Sequence, residues 1–246
     1  MIRSVVMLAF WTLALPPTAL LCFPYTLITG DAGLLYRVAI WCAAAGVKLT
    51  GVRTRAEGLE KLDPASRYIF MANHVSNIDP PLLLPLIPGR TAVMVKKELF
   101  DYPILGRAMR LGSFIPVDRG NRDAGIAAVR EAKKVIGQGI SMTIFPEGKR
   151  SFDGRLLPFK RGPFYLAMEC GLPVVPVTIV GTQEAMPKGR FAITPGLVTV
   201  TFHSPIDPGK FTERDALMQA VRQSIDAGLP EQCRESNSLS APAATL

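Results

Sequence analysis

The sequence predicts an α/β protein: a single mixed, mostly parallel sheet flanked by helices, with an apolar helical hairpin at its N-terminus. Three observations point there. From about Val52 onward, short β-rich runs alternate with stretches of helical periodicity, the pattern of strands and helices wound into one sheet. The residues before that point are oily: Ser4 to Ile28 contains no charged side chain, and Leu34 to Thr50 carries only Arg37 and Lys48. The whole chain, 246 residues, is long enough for one globular domain with appendages.

At the N-terminus Arg3 precedes the apolar run, as in a signal peptide, but no small-x-small cleavage site follows. The run has the length of a spanning helix. Against a straight span, Pro16, Pro17 and Pro24 each remove a backbone donor and are expected to kink it. The second segment is short, and Arg37 and Lys48 would have to reach out toward water. Residues 1–50 therefore read as an uncleaved membrane-embedded two-helix anchor, in one leaflet or barely spanning. Thr29-Gly30-Asp31-Ala32-Gly33 separates the two helices, and the hairpin holds the next domain at a lipid surface.

Within residues 51–229 the expected strands are Tyr68–Ala72, Thr91–Val95, Met142–Phe145, Val174–Val180 and Leu197–Phe202. A helix capped by Asn121 or Asp123 is expected to run to about Ile136, with Ile126, Val129 and Val135 on its apolar stripe and Gly137 as its stop. A second covers Pro163–Cys170 and ends at Gly171, and a last one covers Thr212–Ala227. Pro116 makes its own segment a poor central strand. Residues 230–246, rich in Ser, Ala and Pro, read as a disordered tail.

Charge narrows the function. The chain is 48% hydrophobic with a net charge of +8, and Lys96 to Arg161 alone holds 14 Lys/Arg against 7 Asp/Glu. Such an excess calls for an anionic partner, and the oily N-terminus favours lipid over nucleic acid. With 8% aromatic residues and no nucleic-acid module, nucleic acid is not an expected partner. No GxSxG elbow, Walker A or GxGxxG motif occurs, so neither an acyl-enzyme serine nor a nucleotide cofactor is indicated. The four cysteines and two histidines have no metal-ligand spacing, so no metal is expected, nor a disulfide framework.

The informative stretch is Tyr68 to Leu84. An apolar strand runs into Asn73-His74, and Asp79-Pro80 follows four residues after the histidine. Catalytic groups favour the carboxyl ends of strands in such sheets. On a regular helix His74 and Asp79 would sit roughly 140° apart, so their contact requires a turn. Pro80 helps, because it pushes Asp79 out of the helical region and suits the first helical position. A carboxylate beside an imidazole fixes the tautomer and stabilises the imidazolium, making His74 a general base for a hydroxyl. Which ring nitrogen faces the substrate is not legible at this level. HxxxxD alone is weak: a loop histidine beside a helix-capping aspartate has the same letters. Basic clusters at other strand ends strengthen it: Lys96-Lys97, Arg119, and Lys149-Arg150 after the Glu147-Gly148 turn suit a phosphate.

NHVSNID, GSFIPVDR, FPEGKR and GLPVVPV, in this order, resemble the four motifs of the glycerolipid acyltransferases, specifically the bacterial 1-acyl-sn-glycerol-3-phosphate acyltransferases. VKKEL and PFKRG fit as well, and the resemblance extends from about Gly51 to Phe202. It implies an acyltransferase domain at 51–229 that acylates the sn-2 hydroxyl of lysophosphatidate to give phosphatidic acid. His74 and Asp79 are then the catalytic pair. Lys96, Arg119, Glu147, Gly148 and Arg150 form the acceptor phosphate site, and Pro173, Val175 and Pro176 lie near the acyl donor. That donor is acyl-CoA or acyl carrier protein, with no cofactor, at the inner membrane with the domain facing the cytoplasm. Lys149 departs from the family, which usually has Thr or another small residue there. That leaves room for another acceptor, such as an amino-acid lysolipid. A non-catalytic lipid-binding protein on this scaffold, or a secreted hydrolase behind a cleaved signal, are the readings from other classes.

Overall fold

The computed structural model of the chain describes residues 1–118 and 122–234. In chain order its elements are α1 (Ile2–Thr29), α2 (Gly33–Lys48), β1 (Val52–Glu57), β2 (Ile69–Ala72), α3 (Asp79–Leu83), β3 (Thr91–Lys96), α4 (Pro103–Leu111) and β4 (Ile115–Val117). There follow α5 (Arg122–Gly137), β5 (Ser141–Ile144), α6 (Gly162–Cys170), β6 (Val174–Val180), α7 (Thr182–Ala185), β7 (Gly196–Phe202) and α8 (Arg214–Ala227). The strands form one sheet of order β1-β7-β6-β2-β5-β3-β4. All pairings are parallel except β6 with β7.

The expected strands are all present, within two residues at each end. Two strands had no matching expectation, and both are edges. Arg53, Thr54 and Arg55 of β1 face solvent, the charged edge that discourages further pairing. β4 contains Pro116, exposed at the opposite edge, where a missing backbone donor costs least.

The central strands β2 and β6 are buried on both faces, so successive residues serve different cores. Phe70 and Ala72 join Val175, Val177, Val198 and Val200 on the face covered by α1, α2 and α3. Ile69 and Met71 pack with Val174 and Met142 against α5, α6 and α8 on the other. Full burial of a side chain such as Phe70 or Met71 stabilises by roughly 1.5–3 kcal/mol each, which makes β2 a well-secured platform. The chain continues beyond Pro230 into one more turn, Glu231–Cys233, pinned where Arg234 Nε donates to the Leu229 carbonyl at 2.8 Å. The rest of the tail, 235–246, lies outside the described residues.

The hairpin differs from expectation in one respect: α1 runs without interruption through Pro16, Pro17 and Pro24. All three prolines are exposed, as are Thr12, Leu13 and Leu20, whose carbonyls lose their helical donors. The defect falls on the side away from α2, so packing is not broken. Gly30 closes α1 in the left-handed region at φ 71°, and the Asp31 carboxylate accepts the Gly33 N–H at 2.7 Å as α2 begins. The hairpin is also bound tightly to the domain. Ser4 Oγ accepts the Ile193 N–H at 3.0 Å, Arg3 donates to the Thr50 carbonyl at 2.7 Å, and Met7 is buried in the core. At one end of α2 the Tyr36 hydroxyl accepts the Thr91 N–H at 3.2 Å, and at the other Val47 is fully buried. Thus α2 is fixed to the domain at both ends, and α1 packs on α2 with an exposed apolar face that includes Leu13, Leu20, Leu21 and Leu27.

Close approach of the two helices depends on Gly46. A Cβ there would stand 2.1 Å from Trp11 Nε1, which donates to the Cys42 carbonyl at 3.2 Å. Gly46→Leu is therefore expected to lower stability by about 1–3 kcal/mol through overpacking. Gly125→Ala, in an open position of α5, should raise it by about 0.5–1 kcal/mol. Thermal melts of both variants check the contrast; a Gly46→Leu protein melting like the parent would refute this packing.

Candidate active site

Where β2 ends, the chain leaves the sheet and Asn73 covers the break. Its amide exchanges two hydrogen bonds with Ile179 of β6, Nδ2 donating to the carbonyl at 2.9 Å and Oδ1 accepting the N–H at 2.7 Å. The side chain thus stands in for a strand residue, and the next residue, His74, is free to turn out over the carboxyl end of the sheet.

The turn that the sequence required is present. His74 Nδ1 lies 2.7 Å from Asp79 Oδ2, and the same oxygen accepts the Val75 and Ser76 N–H groups, both at 2.8 Å. Asp79 is wholly buried, and the His74 side chain keeps about 10% of its surface open. The imidazole stacks on Phe145 with ring centroids 4.3 Å apart, so its plane is fixed as well as its tautomer. A carboxylate at Nδ1 places the proton there and turns Nε2 outward as the acceptor. Asp79 opens α3 as its first residue, with Ile78 at the cap position. Its carboxylate reaches back to the His74 loop rather than capping the helix, so the capping alternative does not hold. Ser76 Oγ donates to the Met186 carbonyl at 2.7 Å, which commits that hydroxyl to the turn.

Glu147 secures the loop from below. Oε1 accepts the His74 N–H at 2.8 Å and Oε2 accepts the Leu157 N–H at 2.9 Å. Gly148, at φ 70°, allows the tight turn whose N–H returns to the Phe145 carbonyl at 3.0 Å. Ser151 N–H then donates to the His74 carbonyl at 2.8 Å. Grouped with the phosphate-site residues by its motif, Glu147 is in fact buried with both oxygens held by backbone N–H groups. Lys149 is exposed and Arg150 half-exposed on the same turn.

Other expected site residues are dispersed. Lys96 ends β3 at the same carboxyl end of the sheet as His74, exposed and paired with Glu98 at 3.1 Å. Arg119, like the candidate cap Asn121, lies outside the described residues. Pro173, Val175 and Pro176 sit at the start of β6, opposite Ile69 to Met71, at the end of the sheet away from His74. Val175 and Pro176 are buried inside the sheet, so the structure does not bring this trio to the His74 loop. His203 is a structural histidine: its Nε2 meets Thr178 Oγ1 at 2.8 Å, and burial, then Lys61, lowers its pKa. All four cysteines are free. Burial pushes the Cys170 thiol up, the wrong direction for a nucleophile.

Two features had no counterpart in the sequence reading. Lys188 comes from the segment after α7, and its Nζ donates to the Arg150 carbonyl at 2.7 Å. A cavity of about 1080 Å³ lies between β4, β5, α5 and α6, floored by Met94, Ile144 and Leu157. Phe145 and Glu147 stand between it and His74: both line the cavity, and both touch the histidine.

The motif-bearing part of the chain, residues 53–180, matches the family model described as Acyltransferase. The chain belongs to the Acyltransferase family. It is 39% identical over 176 residues to a 1-acyl-sn-glycerol-3-phosphate acyltransferase of Limnanthes douglasii, covering 71% of this chain and 59% of that protein. To the alpha 1-acyl-sn-glycerol-3-phosphate acyltransferase of Homo sapiens it is 32% identical over 180 residues, covering 72% and 64%. The crystal structure of the 1-acyl-sn-glycerophosphate (LPA) acyltransferase PlsC from Thermotoga maritima matches with a TM-score of 0.78 and 26% identity, over 92% of this chain and 94% of that one. The chain spans less than two thirds of the length of these two curated relatives. The stretch matched to the Acyltransferase family contains His74, Asp79, Glu147 and Lys149-Arg150; Lys188 falls beyond it.

Glu147 gives this member of the Acyltransferase family a pH signature. Burial pushes its carboxyl from an ordinary 4.5 up to about 7, against the pull of the Leu157 and His74 N–H groups and of Arg222. The folded state therefore keeps a proton that the unfolded chain has already released. That contribution is complete below the unfolded value and is lost as pH rises from 4.5 through about 7. Its slope reaches at most about 1.4 kcal/mol per pH unit. Denaturant unfolding across this window should show wild type losing stability faster than Glu147→Gln, which carries no titrating group. Parallel profiles would contradict the buried acid.

Proposed function

We propose that the chain transfers a fatty acyl group from an acyl thioester to the sn-2 hydroxyl of 1-acylglycerol-3-phosphate, giving phosphatidic acid. The observation that carries this reading is the buried 2.7 Å contact between His74 Nδ1 and Asp79 Oδ2, with Nε2 left to face a substrate. Nε2 removes the hydroxyl proton as the oxygen attacks the thioester carbonyl. The tetrahedral intermediate then collapses, the C–S bond breaks, and the imidazolium returns the proton to the leaving thiolate. Asp79 holds the ring in place and stabilises the imidazolium. Because the thioester carries the activation, no metal or cofactor enters the scheme, and acyl-CoA or acyl carrier protein serves as donor.

The acceptor assignment draws on the cations beside this base and on relatives named as 1-acyl-sn-glycerol-3-phosphate acyltransferases. Lys149, exposed where the family usually has a small residue, favours one second reading, a different anionic lysolipid. Purified protein should acylate lysophosphatidate and discriminate against 1-acylglycerol, which lacks the phosphate; indifference between them would reject the acceptor. His74→Ala should lower kcat by about 10²–10⁴-fold while lysolipid binding persists. Turnover unchanged in that variant would remove His74 from the mechanism.

Membrane attachment follows from α1, a helix long and apolar enough by length and composition to cross a bilayer, whose outer face is uncovered. Since α2 is tied to the domain at both ends, through Tyr36 and Val47, we place the hairpin in the plane of one leaflet rather than across it, with the domain on the cytoplasmic side of the inner membrane, where soluble thioesters reach it. Replacing Leu13, Leu20 and Leu21 with serine should release the protein from phospholipid vesicles with little change in melting temperature. Full retention on vesicles would rule out this face.

A further inference from the structure

We propose that Lys188 completes the acceptor anion site, supplying with Lys149 and Arg150 the charge that holds the phosphate of the lysolipid. This rests on the functional reading above and adds a residue outside the matched stretch.

Three chain segments converge to place it. Ser151 N–H is bonded to the His74 carbonyl, which joins the turn that carries Lys149 and Arg150 to the His74 loop. Ser76 Oγ is bonded to the Met186 carbonyl, which brings the segment after α7 to the same loop. Thr194 N–H donates to the Ala185 carbonyl at 2.8 Å, closing the 186–193 excursion on itself. Lys188 thus arrives with its ammonium 2.7 Å from the Arg150 carbonyl and 3.7 Å from the centroid of the Phe152 ring.

This position gathers like charge. Desolvation, then Arg150 and Lys149, pull the Lys188 pKa down, the direction expected when like charges crowd together. Among the described residues none of these three cations forms an ion pair, whereas Lys96, Lys97 and Lys133 each have a carboxylate partner. An ammonium has three donors. One is committed to the Arg150 carbonyl and a second side of the ammonium rests on the Phe152 face, leaving one for an anion's oxygen. A phosphate that bridges the three cations relieves their repulsion and fixes the glycerol hydroxyl relative to Nε2.

The test uses the full chain in mixed micelles with two acceptors, 1-acylglycerol-3-phosphate and 1-acylglycerol. Lys188→Met keeps the aliphatic stem over Phe152, Lys188→Gln is a second neutral variant, and Lys188→Arg keeps the charge. Whichever neutral variant melts like wild type is the one assayed. The expected result is a KM for the phosphate acceptor raised about tenfold, the equivalent of one charge-assisted hydrogen bond, with kcat within about twofold. Turnover of 1-acylglycerol should stay as in wild type, and Lys188→Arg should recover most of the lost affinity. An unchanged KM, or equal losses on both acceptors, overturns the proposal and leaves Lys188 a purely structural clamp. Wild-type protein that fails to prefer the phosphate acceptor overturns the functional reading itself, and Lys188's role with it.

Discussion

One oxygen atom organises the working end of this molecule. Asp79 Oδ2 accepts hydrogen bonds from the His74 ring and from the N–H groups of Val75 and Ser76. The six residues from His74 to Asp79, which would otherwise diverge, are thereby wound into a single turn. Because the carboxylate is wholly buried, these bonds act in a medium where leaving any of them unmade is costly. The geometry of the imidazole and the fold of the loop are one arrangement. Losing the carboxylate removes the partner of the imidazole and also releases two buried backbone donors.

That turn needs a stationary base, and the sheet provides it. β2 lies between β5 and β6 with both faces buried, so it cannot shift without disturbing both cores. Asn73 extends the ladder by one side chain, and Glu147 ties the His74 N–H to the Leu157 N–H across the turn after β5. The N-terminal hairpin is joined to this rigid body through Ser4, Met7, Tyr36 and Val47. It therefore behaves as part of the domain rather than as a tether, and any lipid depth set by α1 is transmitted to His74 without a hinge.

Much of this was legible in the residues. β6 was bounded at both ends, and the other central strands were placed within a residue or two, because apolar runs buried on both faces carry a strong signal. The edge strands were harder: β1 alternates Arg with Thr and Arg on an open edge, and β4 spans only three residues around a proline. The pair His74 and Asp79 could be named because motif and turn chemistry agreed. What the letters did not carry was direction. Glu147 reads as one more polar residue in a cationic motif, and only the fold reveals that its oxygens point inward at backbone donors. Prolines in α1 raised an expectation of a kink, since periodicity alone did not say that their bare sides face away from α2. Lys188 was invisible because the fold sets it against Arg150, 38 residues earlier.

The pairing of a buried acid with surface cations also bears on why the third motif combines residues of opposite charge. Glu147 sits one residue before the glycine turn and Lys149 one residue after it, so a single reversal sends a carboxylate inward and cations outward. Were Glu147 exposed beside Lys149 and Arg150, it would neutralise them and compete with any incoming phosphate. Burying it, at the cost of raising its pKa, keeps the outward field positive while the same residue braces the base. The left-handed φ at Gly148, open to glycine without steric cost, is what permits this separation. A side chain at that position would have to adopt a left-handed backbone conformation, and relaxing it would rotate the inward and outward groups together. The positive site and the oriented histidine are thus joined through one peptide turn, and a change that disorders either one is expected to reach the other.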